Sequence, residues 1–127
     1  MFNVQVAYNP EFIAQGEIVT GLEQSDIVLI GTDYQELANE LIQIYNKIQT
    51  TPVNAYVMSP KAAELTKIGI NCFLTTKISY ANMMGDIMMK SGLDNEIDLV
   101  LAAVGGDTRV GKKYMKYGFG FGGPCLP

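Results

Sequence analysis

The 127-residue chain contains no histidine and only two cysteines, and both shortages narrow its chemistry. Without histidine it lacks the commonest general base and the Cys–His or Ser–His pair of most nucleophilic hydrolases, so acid–base work falls to carboxylates, lysines or water. Cys72 and Cys125 lie far apart with no CxxC spacing, which points to neither a zinc site nor a disulfide framework and leaves both as free thiols. Positive charge is also scarce: nine Lys and Arg stand against thirteen Asp and Glu, for a net charge of -4. Apart from Lys112 and Lys113 the cations are scattered, which excludes a nucleic acid partner, because backbone binding needs clustered Lys and Arg to displace counterions. No apolar run approaches the roughly 20 residues that cross a bilayer, and "MFNVQVAYNP" lacks the basic start and apolar stretch of a signal peptide. A soluble, cytoplasmic protein with no membrane partner is expected.

What is present suffices for a core, since 48% of the residues are apolar. "NVQVAY" alternates like a strand until "NPEF" breaks it, because the residue before a proline is pushed out of helical conformation. Residues 27–30, "IVLI", form a continuous apolar run closed by Gly31, the pattern of a parallel strand buried on both faces. Asp33 is placed to cap a helix on which Tyr34, Leu37, Ala38, Leu41, Ile42, Tyr45 and Ile48 recur at helical spacing, and "VNAYVM" reads as a further strand. The result is a βαβ unit of two or three parallel strands without a GxGxxG loop, too little sheet to be covered on both faces by one helix. Ser59 can cap a second helix and Pro60 can open it, after which a largely apolar stretch runs without proline to about Ser91. Thirty such residues extend roughly 45 Å, so a partner subunit or a further domain is expected to cover part of them. Gly69 and Gly85 within it either admit another backbone or mark a kink. A shorter helix over "EIDLVLAAV" precedes a long loop.

Glu64, Lys67 and Asn71 share one face of the long helix. They can form an exposed polar stripe with a Glu64–Lys67 pair, or Lys67 can act electrostatically while Asn71 holds a water or an oxyanion. Cys72 points about 100° away and is expected to fill the core. Glu11 sits just past a strand end, where open α/β sheets place ligands, though taken alone a solvated glutamate is the better reading. "GFGFGGPC" can wrap a ligand with backbone N–H groups, but no GK[ST] follows to make a triphosphate loop; a surface loop is the alternative. Cys125 becomes a nucleophile only with a lowered thiol pKa, which Lys67 or Lys116 could provide.

Taken together, "NPEF", "AELTKIGIN", "DTRVG" and "GFGFGGPCLP", in this order and spacing, resemble the UDP-glucose/GDP-mannose dehydrogenase family over almost the whole chain. The resemblance implies an α/β fold class: a partial Rossmann-like parallel sheet followed by an all-helical domain on one long helix. Residues 1–58 would be the C-terminal part of an NAD-binding domain, and 59–127 a central domain that forms a homodimer through the long helix and ends in the catalytic-cysteine loop. It implies oxidation of a nucleotide-sugar's C6 alcohol to a carboxylate with two NAD, as in polysaccharide biosynthesis. Cys125 matches the nucleophile that carries the thiohemiacetal and thioester, Lys67 and Asn71 the oxyanion-stabilising pair, and Glu11 the general base for hydrolysis. Phe12, Ile13, Lys116, Phe121 and Gly122 match substrate contacts, and Arg109 an arginine that reaches the partner subunit's site.

Departures from the family pattern also matter. Gln15 replaces a glutamate near the nicotinamide, where it and Cys125 would face the cofactor, and Asn82-Met83 replaces the usual Asn-Glu. The family's GxGxxG turn, the Lys-Asp after the cysteine motif and the C-terminal nucleotide domain are not in these residues. The chain is therefore expected to be a segment of the enzyme, inactive alone; a non-catalytic dimerisation or regulatory module is the alternative.

Overall fold

Val28, Leu29 and Ile30 have purely apolar side chains, and the chain buries all three in β1 (Val28–Gly31). Each such side chain contributes about 1.5–3 kcal/mol when removed from water. The computed structural model describes residues 4–12, 17–118 and 120. These fall into two compact units, Met1–Ile68 and Gly69–Pro127.

In the first unit, β1 pairs in parallel with β2 (Ala55–Met58), in a register from Val28 opposite Ala55 to Gly31 opposite Met58. The connection is α2 (Gln35–Ile48), which buries Ala38 against Val28 and Ile30 and adds Leu41, Ile42 and Tyr45 to that contact. A short helix, α1 (Ile18–Glu23), precedes the sheet. Two expectations are corrected here. The entry to α2 is capped at Tyr34, not Asp33: the Tyr34 N–H donates to Thr32 Oγ1 at 3.2 Å, so a hydroxyl turn just past β1 sets the helix start. "NVQVAY" forms no strand over its described residues, so among the described residues the sheet has two strands, the smaller of the two numbers expected. Val4 and Val6 are 73% and 68% exposed; alternation makes a strand only where another layer covers one face. What remains is an isolated antiparallel bridge between Tyr8 and Gly31.

Gly31 is where sheet and helix meet. A Cβ placed there would stand 2.7 Å from the Ala63 Cβ and 3.0 Å from the Pro60 Cα, so the end of β1 closes against the first turn of α3 (Pro60–Lys90) only because the side chain is missing. Pro60 opens α3 as its missing N–H permits.

The second unit is helical. Ala81 and Met88 from α3 pack with Ile97 and Leu101 of α4 (Ile97–Gly106) and with Met115 beyond it. At the end of α3, Gly92 adopts φ +73°, its N–H reaches the Met89 carbonyl at 3.2 Å and the Leu93 N–H the Met88 carbonyl at 2.9 Å. That paired closure, with glycine at the left-handed position, stops the helix. A single 3₁₀ turn (Asp94–Glu96) leads into α4. Phe73, Tyr80, Met83 and Ile87 on α3 are exposed among the described residues. No helix among the described residues is long and apolar enough to cross a membrane.

Cys72 is exposed, not the core filler expected. It precedes the buried Ala81 by two and a half turns and so lies on the opposite side of the helix. At Gly85 the close approach is made by an aromatic ring instead of a backbone: a Cβ there would lie 1.9 Å from Tyr117 Cδ2. At Gly69 nothing stands within 4 Å.

Candidate active site

The loop that follows Tyr8 is tied to the end of β1 at several points. Main-chain bonds run both ways between Tyr8 and Gly31, at 2.8 and 2.7 Å, and Thr32 Oγ1 donates to the Val6 carbonyl at 3.2 Å. Asn9 donates its amide to the Leu29 carbonyl at 2.8 Å, while its own oxygen accepts the Tyr45 hydroxyl at 2.8 Å. One side chain thereby links the loop, the strand and α2. Pro10, Glu11 and Phe12 follow directly.

Lys67 meets those residues from α3. Its Nζ donates to the Glu11 carbonyl at 2.5 Å and lies 4.4 Å from the centre of the Phe12 ring. The ring contact contributes about 0.5–1 kcal/mol at such a surface position. The lysine therefore engages the Glu11 main chain, and the exposed Glu11 carboxylate stays at the rim. An ammonium has three N–H donors, and one is committed to Glu11, so the others can serve an oxygen that gains charge in front of the loop. The cavity behind the loop, lined by residues that include Phe12, Leu22 and Tyr45, is only about 20 Å³. That volume suits one water.

In the second unit the sequence-predicted residues are spread out. Asn71 is half-buried on α3, and the Thr75 hydroxyl donates to its carbonyl at 3.2 Å. Arg109 follows α4 and folds back onto Asp107, with Nη2 to Oδ2 at 2.7 Å, Nε to Oδ1 at 3.0 Å and its own N–H to Oδ1 at 2.9 Å. These bonds from Arg109, its side chain first, hold the Asp107 carboxyl below its usual range and raise the guanidinium above its own. The pair is exposed and adds little stability, but it fixes the direction of the arginine. Lys77 clamps the same loop by donating to the carbonyls of Val110 and Gly111 at 3.0 and 3.1 Å. Lys116 is exposed. Nearby, the Tyr117 hydroxyl donates to Asp86 Oδ1 at 2.9 Å; this bond, then burial and the Asp86 charge, raise the phenol above its ordinary pKa.

Of the expected site residues, Glu11, Phe12 and Lys67 are brought together, while Ile13, Gln15, Phe121, Gly122 and Cys125 lie outside the described residues. Sequence reasoning did not single out Asn9 and Tyr45 as the support for Glu11. The signal available was an asparagine immediately before the proline, a residue whose side chain can stand in for backbone partners.

Residues 61–127 match the family model described as UDP-glucose/GDP-mannose dehydrogenase family, central domain, and residues 1–49 match the NAD binding domain of the same family. The chain belongs to the UDP-glucose/GDP-mannose dehydrogenase family. Among curated relatives, UDP-glucose 6-dehydrogenase YwqF of Bacillus subtilis is 35% identical over 98% of this chain and 27% of the relative. The UDP-glucose 6-dehydrogenase of Mus musculus is 36% identical, over 98% of this chain and 25% of the relative. A UDP-glucose dehydrogenase structure from the hyperthermophilic archaeon Pyrobaculum islandicum superposes with a TM-score of 0.85 at 37% identity, covering 95% of this chain and 27% of that one. The chain thus spans about a quarter of the length of these relatives.

Proposed function

We propose that this chain supplies part of the catalytic centre of a nucleotide-sugar 6-dehydrogenase, an oxidoreductase that takes a sugar C6 alcohol to the carboxylate. The observation that carries the reading is the Lys67 ammonium held at the Glu11–Phe12 edge, in a chain with 35% identity to a UDP-glucose 6-dehydrogenase. NAD, when bound, would supply the acceptor for the two hydrides in this reading. Among the described residues no glycine-rich strand-to-helix turn is available to cradle a dinucleotide, since β1 is followed by Thr32-Asp33-Tyr34. The part assigned to this chain is to bind, orient and move protons, and Gln15 and Cys125 would be its contacts to the nicotinamide.

Loss of the first hydride and the hydroxyl proton makes an aldehyde. The Cys125 thiolate adds to its carbonyl carbon, forming a C–S bond and placing negative charge on oxygen, which Lys67 and Asn71 stabilise before a proton makes the thiohemiacetal. Loss of the second hydride, with the hydroxyl proton, leaves a thioester. Water then attacks the thioester carbon, Glu11 removes its proton, and the C–S bond breaks to return the thiol and release the carboxylate. Phe12, Ile13, Lys116, Phe121 and Gly122 hold the sugar, and Arg109 serves the partner's site in a homodimer formed through α3. In this reading the NAD-binding portion ends at Met58 and the central domain begins at Ser59.

In the enzyme that carries this segment, Cys125→Ala is expected to abolish NADH formation from UDP-glucose and other nucleotide-sugars. Unchanged turnover would refute the nucleophile.

A further inference from the structure

We propose that Tyr117 is a positioning residue that latches the entry of the glycine-rich stretch onto α3, in a notch left by Gly85; this rests on the assignment of that stretch to the sugar. A glycine inside a helix costs about 0.5–1 kcal/mol relative to alanine, and close packing against its bare Cα is one use that can offset the cost. At Gly85 the use is visible: a Cβ would lie 1.9 Å from Tyr117 Cδ2 and 2.5 Å from both Cε2 and Cγ, so the ring occupies the space an alanine would need.

Three further contacts fall on the same stripe of α3. The Tyr117 hydroxyl donates to Asp86 Oδ1 at 2.9 Å and lies 3.2 Å from Met89 Sδ, and the Gly118 N–H donates to Asn82 Oδ1 at 2.9 Å. Positions 82, 85, 86 and 89 recur at the spacing of one helix face. The segment is also pinned upstream, where Met115 is buried in the α3–α4 core. Tyr114, just before it, holds φ +66°, a left-handed conformation that a side chain enters only when its surroundings compel it. Directly after the latch, Gly118 takes φ +79° and the run of glycines begins.

A glycine-rich stretch loses more conformational entropy on ordering than any other composition, so the point from which it departs limits where its later residues can be placed. Tyr117 supplies that fixed point. Its effect on the chemistry is indirect, through the loop, because neither its ring nor its hydroxyl is assigned to substrate.

The test combines amide exchange on the full chain with kinetics. Tyr117→Phe keeps the ring and removes the hydroxyl bond, and should speed exchange of the Gly118 N–H about fivefold, the factor that matches one hydrogen bond of about 1 kcal/mol. Gly85→Ala should speed it more, by expelling the ring, and Gly85→Ala with Tyr117→Ala should be no worse than either change alone. In the enzyme that carries this segment, Gly85→Ala should lower kcat/KM, and adding Tyr117→Ala should lower it no further. Unchanged Gly118 exchange in both single variants, or strictly additive effects, would overturn the latch. Loss of protection with unchanged kcat/KM would overturn the positioning role. Neither outcome depends on Cys125→Ala, which tests the nucleophile separately.

Discussion

Replacing Gly31 by alanine is the sharpest test of how the site's platform is built. The added Cβ would face the Ala63 Cβ at 2.7 Å and the Pro60 Cα at 3.0 Å, with the Tyr8 Cβ at 3.4 Å on the loop side. None of these is the far end of a flexible chain, so relief requires the first turn of α3 or the end of β1 to move. Overpacking of this kind costs about 1–3 kcal/mol. With a urea slope of about 1–3 kcal/mol per molar for a small domain, 2 kcal/mol lowers the unfolding midpoint by roughly 1 M. Gly31→Ala should produce that shift with an unchanged slope. Ala63→Gly on its own should cost about 0.5–1 kcal/mol as a helical glycine, yet it should recover part of the loss when combined with Gly31→Ala. The recovery should be partial, because the Pro60 backbone contact remains. A Gly31→Ala midpoint equal to wild type, or no coupling between the two positions, would refute the close approach of strand and helix.

Leu101 is fully buried among Ala81, Met88, Ile97 and Met115, so Leu101→Ala should destabilise the second unit by about 2–5 kcal/mol in equilibrium unfolding. An effect below about 0.5 kcal/mol, the level of an ordinary surface change, would contradict that core. Asp107 has a lowered folded-state pKa, so its contribution is present above the unfolded value near 3.9 and is lost as pH falls through the folded one. Carboxyl-carbon NMR should place its titration below the ordinary aspartate range, and Arg109→Ala should move it back up; identical midpoints would exclude the pairing.

The elements legible in the sequence are those whose own side chains impose them. The apolar run "IVLI" pointed to a buried strand, and the structure buries residues 28–30 of it. The proline-free apolar stretch after Pro60 pointed to a long helix, and α2 announced itself by its apolar stripe. Misreadings occurred where tertiary context decides. Val4 and Val6 alternate correctly but have no layer over them, and α1 buries no residue and has no side-chain cap to signal it. Thr32, not Asp33, sets the start of α2 because the chain turns on its hydroxyl. The site shows the same division. The spacing of Lys67 placed it on a helix face, but its partner is a main-chain carbonyl, and backbone acceptors leave no trace in side-chain patterns. The contact of Tyr117 with Gly85 joins positions far apart in sequence, so the glycine could be noticed and its occupant could not.

The Asn9 amide that joins the Leu29 carbonyl to the Tyr45 hydroxyl needs both its donor and its acceptor. Asparagine is the side chain most prone to ageing into aspartate, by cyclisation onto the nitrogen of the next residue, and an aspartate here would turn a carboxylate toward a carbonyl with no hydrogen between them. The next residue is Pro10, whose nitrogen carries no hydrogen and cannot complete that ring closure. Pro10 thus makes the asparagine beside it chemically durable.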